Sequence, residues 1–244
     1  MEPTYLRERL AEEFALLAAA AREASPTAPV PDCPGWTAAD LITHVTHVYL
    51  HKTESMRRGK SPEPWPPDLS GEEPLAALDR AYAQLAQELA TRPPEEPSPT
   101  WYEPDQSVGF WIRRMVHETI VHRIDAERSA GSTVSPVAAD LAADNVDEAL
   151  TTMLVYGYDG WPEDFAAVGH LAEPVTIVVG DSSFTVRQTP EGVIVDDGRD
   201  AGATVSGEPV DVVSWLWGRG GAASVRGNAQ HAAQLRKFLQ VATQ

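Results

Sequence analysis

The chain has 244 residues, 43% of them hydrophobic and 23% charged, with a formal net charge of −17. That composition suits a globular protein of one large or two modest domains, and the acidity argues against nucleic acid or anionic membranes as partners. Cys33 is the single cysteine, so an intrachain disulfide is ruled out. With neither a signal-peptide pattern nor an apolar run of about 18 residues, a cytoplasmic location is expected.

Residues 3–24 carry an apolar stripe of Leu6, Leu10, Phe14, Leu17 and Ala20 at helical spacing. The stretch from Ser25 to Gly35 holds four prolines and reads as an extended connection. Thr37 followed by Asp40 resembles a capping box that opens a second helix running to about Met56. That helix presents His44, His47 and His51 on one broad face. A proline-rich loop at Ser61–Pro67, a third helix from Gly71 to Arg92 and a second proline-rich loop at Pro93–Pro104 follow. The stretch 111–128, free of proline and glycine, is then a helix around which the rest is organised. Val137 to about Leu154 is a further helix. Four long helices and one more, closely spaced and joined by two proline-rich crossings, predict a bundle.

After Trp161 the character changes. Val175–Val179, Ser183–Gln188, Val193–Asp196 and Ala203–Ser206 are short β-branched or alternating runs, the first three separated by the turn signals Gly180-Asp-Ser and Pro190-Glu-Gly192. Pro209–Trp217 predicts a helix, Ala223–Arg226 a brief strand, and Asn228–Val241 a closing helix capped by Asn228. The expected fold class is mainly α: a helical bundle over residues 1–160, then a small α+β domain over 168–244, with the boundary near 160–172.

Three groups able to ligate a metal lie close together in the central helix: His117, Glu118 and His122. At about 100° per residue, Glu118 and His122 are roughly 40° apart and share a face, whereas His117 and His122 diverge by roughly 140°. This is not the zinc-protease pattern, in which two histidines four apart share a face. The Glu118–His122 pair needs a further ligand, and spacing does not choose among His44, His47 and His51. Without a metal, the pair would be an ordinary contact on a helix face.

Two stretches, Cys33-Pro-Gly-Trp36 with Asp40-Leu-Ile-Thr-His44, and Arg114-Met-Val-His-Glu118-Thr-Ile-Val-His122-Arg-Ile-Asp125, resemble signatures of the mycothiol-dependent maleylpyruvate isomerase family. Gly218-Arg219 and Val225-Arg-Gly-Asn228 resemble the family's carboxy-terminal domain. The resemblance implies a DinB-like metal-binding bundle followed by a small domain related to sterol-carrier folds. It also implies His44, Glu118 and His122 as metal ligands, which is the two-histidine, one-carboxylate set of a catalytic zinc site with an open position. Asp40 and Asp125 are then carboxylates placed to orient His44 and His122 through their second ring nitrogens. Arg80, Arg219 and Arg226 are expected cations for an anionic substrate.

The activity so implied uses a divalent metal, zinc, and mycothiol, a small cytoplasmic thiol of actinobacteria. A thiol of ordinary pKa is mostly protonated at neutral pH, and a metal ion would activate it for addition to a small electrophile, giving an isomerase or S-transferase. Two alternatives stand beside it: a metal-dependent hydrolase with the same ligands, and a non-enzymatic protein that binds an apolar ligand in its second domain.

Overall fold

The computed structural model describes residues 1–198 and 201–243, which divide into two compact units, Met1–Ser135 and Pro136–Gln244. The first is a bundle of four helices, α1 (Pro3–Glu23), α2 (Ala38–Arg58), α3 (Pro74–Thr91) and α4 (Val108–Ser129). Local chemistry sets the ends. Thr37 and Asp40 form a reciprocal capping box at the start of α2, and Gly59, in the left-handed conformation that a side chain disfavours, stops it. The Glu73 carboxylate accepts from Ala76 N–H to open α3, and Ser107 Oγ accepts from Phe110 N–H to open α4.

Helix α4 packs against α1 and α2, and α3 lies across α2 and α1. The core comprises Leu10, Leu17, Val45, Leu78, Leu85, Ile112, Val116, Ile120 and Ile124, with the Phe14 and Tyr82 rings stacked at 3.6 Å. Each such side chain contributes about 1.5–3 kcal/mol by leaving water. Unusually for a bundle helix, α4 also buries Arg114, His117, Thr119, His122, Arg123, Asp125 and Glu127. Buried polar groups are costly unless paired. Arg123 meets this by donating to Glu13 and Glu127 and to the Ser135 carbonyl, each within 2.6–2.9 Å.

The second unit begins with α5 (Ala139–Asp147), which continues through a π-helical segment (Glu148–Val155) into α6 (Tyr156–Gly160). A 3-10 turn (Pro162–Val168) precedes five strands, β1 (Val175–Val179), β2 (Ser182–Thr189), β3 (Gly192–Asp196), β4 (Ala203–Ser206) and β5 (Ser224–Gly227); α7 (Pro209–Leu216) joins the last two strands and α8 (Ala229–Ala242) closes the chain. The sheet order is β3-β2-β1-β4-β5; β1 and β4 run parallel and the other neighbours antiparallel. Its core includes Val175, Ile177, Val186, Val205, Val212, Leu216, Leu235 and Phe238. Trp217 is buried there and donates its indole N–H to Asn145 at 2.7 Å.

The chain is thus mainly helical, a bundle followed by a small α+β unit, as the sequence predicts. The division comes earlier than the predicted boundary near 160–172. The helical run 139–160 packs against β1, β2, β3, α7 and α8, so it belongs to the α+β unit and not to the bundle.

Candidate metal centre

The centre lies where α2 meets α4. The two helices are antiparallel, because residue numbers rise along one as they fall along the other: His44 faces Glu118 and His122, Tyr49 meets Thr119, and Lys52 meets Trp111. The buried Tyr49 hydroxyl and Thr119 hydroxyl share a hydrogen bond of 2.6 Å, which locks the register between the helices. Val45 and Tyr49, fully buried on α2, turn the adjoining His44 toward α4.

His44, Glu118 and His122 each offer one ligand atom, and these atoms lie within 4.8 Å of one another. His122 Nε2 is 3.2 Å and His44 Nε2 3.5 Å from the same Glu118 oxygen, Oε1. The other oxygen, Oε2, accepts from the Arg114 guanidinium. Asp125 Oδ2 lies 3.0 Å from His122 Nδ1, and Cys33 Sγ lies 3.8 Å from that same carboxylate oxygen. The His44 ring centre lies 5.0 Å from that of Trp36, tilted, and 4.8 Å from that of His122, edge to face. The His122 and Glu118 side chains are 8% and 14% exposed and that of His44 38%, so the centre opens to solvent on the His44 side.

This donor set fits a divalent metal. Two imidazole nitrogens and one carboxylate oxygen converge, all borderline or hard donors, and His122 has its other nitrogen fixed by a carboxylate, which is how metal-ligating histidines are held. The electrostatics agree. Burial raises the Glu118 carboxyl, but the Arg114 charge, the His122 charge and hydrogen bonds from both histidines outweigh it and hold it well below the usual carboxylate range. Burial lowers the His122 imidazole, yet Glu118 and the hydrogen bond to Asp125 outweigh that and raise it to about 9. Positive neighbours thus keep Glu118 ionised, while the carboxylates of Glu118 and Asp125 favour a positive charge at His122.

The remaining predicted residues separate. Asp125 lies behind His122 as expected. Asp40 does not lie behind His44; its carboxylate accepts from Thr37 N–H at 2.8 Å and from the Thr37 hydroxyl, because the helix start needs it there. Arg80 is held by both oxygens of Glu72 at 2.8–2.9 Å on the outer side of α3, in a surface hollow shared with Trp65 and Glu54. Arg219 and Arg226 belong to the second unit, where Arg219 donates to the Trp217 carbonyl and Arg226 sits exposed on β5. His47 and His51 face Trp65, with ring centres 6.1 and 4.9 Å away. Sequence reasoning missed Arg114, although its spacing of four from Glu118 announces the pair, and Lys52, eight residues beyond His44.

Comparison with known proteins shows the family of the chain. The profile of the Mycothiol maleylpyruvate isomerase N-terminal domain matches residues 7–127, and that of the MDMPI C-terminal domain matches residues 140–234. Two crystal structures, of a mycothiol-dependent maleylpyruvate isomerase and of a histidine-to-alanine mutant of such an enzyme, share the fold. Each gives a TM-score of 0.55 at 14% identity over 92% of this chain and 93% of that one. No curated protein matches the chain. With both domains matched in order and nearly end to end, the chain belongs to the mycothiol-dependent maleylpyruvate isomerase family of enzymes.

Proposed function

We propose that this protein holds a divalent metal, zinc, on His44, Glu118 and His122 and uses it with mycothiol to transform a small electrophile in the cytoplasm. The observation that carries the reading is the convergence of three ligand atoms within 4.8 Å, on residues that also match the family's amino-terminal domain. A metal ion there supplies a Lewis acid that favours the thiolate form of a bound thiol.

The chain's own residues do the rest. Arg114 keeps Glu118 ionised, so the carboxylate would offer a metal one negative charge beside the imidazoles. Asp125 fixes the tautomer of His122 so that Nε2 faces inward. The Trp36 ring restrains His44 from the side, and the exposed edge of His44 leaves an approach for thiol and electrophile. In the isomerase form of the reaction, the thiolate adds to a conjugated carbon–carbon double bond. The bond becomes single and rotates from cis to trans, and departure of the thiolate restores the double bond and the thiol. In the transferase form the sulfur stays bonded to carbon, and the neighbouring carbon takes up a proton to replace the one that the thiol gave up.

The test is metal content and thiol binding measured together. Wild type is expected to retain zinc through dialysis and to bind mycothiol, whereas His44→Ala loses both. A wild type that takes up no metal after reloading with zinc contradicts the reading at its base.

A further inference from the structure

One charge beside the centre has no part in holding the metal. Lys52 follows His44 by eight residues on α2, about 12 Å along the helix axis, and helical side chains lean toward the amino-terminal end, here toward His44. Its ammonium sits 4.8 Å over the Trp111 ring and 3.3 Å from His51 Nδ1. Trp111 precedes Glu118 by seven residues on α4, about two helical turns, so the ammonium lies on the side of the helix pair that leads to the metal centre. Among the described residues no carboxylate pairs with it, although acidic side chains outnumber basic ones by 36 to 19 in the chain. A part-buried ammonium held against an aromatic face and left without a counter-ion is costly in a folded protein.

The neighbours show that the charge is kept. Burial and the adjoining Lys52 push the His51 imidazole down to about 4, so it is neutral at pH 7 and its Nδ1 accepts from the ammonium. Ser55 Oγ lies 3.4 Å from the same nitrogen, and the Trp65 and His51 rings meet edge to face at 4.9 Å. Burial pushes Lys52 down to about 8, which leaves it mostly protonated at pH 7. Arg114, the other cation nearby, is occupied with Glu118. Lys52 is therefore the charge available to an incoming anion.

Resting on the function proposed above, we propose that Lys52 determines substrate specificity by binding a carboxylate of the electrophile while the reacting carbon lies at the His44–Glu118–His122 centre. The juxtaposition of an unpaired ammonium, an aromatic wall and the metal centre on one pair of helices carries the inference. The Trp111 ring limits water on one side of the ammonium and so strengthens its contact with an anion. The flexible lysine stem, unlike the rigid fork of arginine, accepts a carboxylate over a range of positions.

The test titrates zinc-loaded wild type, Lys52→Met and Lys52→Arg with maleate, a small cis dicarboxylate, and separately with mycothiol. Wild type is expected to bind maleate at least about tenfold more tightly than Lys52→Met. Lys52→Arg is expected to recover part of the difference, and all three proteins should bind mycothiol alike. If Lys52→Met loses zinc or aggregates, Lys52→Gln replaces it. Equal maleate affinity in wild type and variant, or no saturable maleate binding to wild type, overturns the role of Lys52 while mycothiol binding leaves the proposed function standing. Parallel loss of maleate and mycothiol in the variants makes Lys52 structural and also overturns the role. Failure of wild type itself to bind mycothiol removes the proposed function instead.

Discussion

Glu118 divides its two oxygens between two tasks: Oε2 takes the Arg114 guanidinium and Oε1 faces both imidazoles. Each neighbour then has its own expected phenotype. Asp125→Asn, which keeps the shape but weakens the hold on His122, is expected to lower zinc affinity about 10–100-fold, read by competition with a chromophoric chelator; unchanged affinity removes Asp125 from the site. The pH dependence of the metal-free protein has a definite sign. His122 is raised from 6.5 to about 9 in the folded state, so the folded chain keeps a proton that the unfolded chain gives up. The stabilisation is complete below about pH 6.5 and disappears as the pH climbs through about 9. Melting of chelator-treated protein should therefore fall in temperature across that window, with a shallower slope in His122→Asn. Zinc must displace the same proton, so its affinity should rise over the same window. Of these features, the Glu118–His122 pair was legible from helical angles alone. The choice of His44 over His47 and His51 was not, since the three share a face until the Tyr49–Thr119 register is known.

Among the elements, α2 illustrates how one residue can satisfy local demands and be lost to a distant site. Asp40 is four residues before His44, a spacing that suits an orienting carboxylate, yet the orphan N–H groups at the helix start claim it first. Asp40→Ala is expected to lower the denaturant midpoint of unfolding, since half of the capping box is lost, and to leave zinc affinity unchanged; a loss of zinc binding would return Asp40 to the site. Helix α4 depends on Arg123, whose side chain is fully buried between Glu13 of α1 and Glu127. Arg123→Ala strands two carboxylates and should destabilise by about 3–5 kcal/mol, with a drop in unfolding midpoint near neutral pH as the readout. Helix positions in the bundle were readable from the apolar stripe of α1, the capping box of α2 and the proline-free run of α4. The run from Ala139 to Gly160 was cut short at Leu154 because its π-helical segment shifts the stripe away from a 3.6-residue period. Its placement with the sheet was hidden for a different reason: a change from helical to strand pattern marks a change of element and not a change of packing unit.

For the whole molecule, charge and architecture bear on different questions. The net charge of −17 speaks to partners and solubility, and no helix among the described residues is long and apolar enough to cross a membrane. The fold is shared with crystal structures at 14% identity, so little beyond the placement of elements carries over from them, and the chemistry has to be argued from the centre's own residues. On the proposed function, His44, Glu118 and His122 hold a metal that engages the sulfur of mycothiol. The decisive experiment is calorimetric titration of mycothiol into zinc-loaded wild type, with His44→Ala beside it. Saturable binding to wild type and none to the variant is expected. A fully zinc-loaded wild type that does not bind mycothiol would contradict it, keep the metal centre, and put a hydrolase acting through the same three ligands in its place.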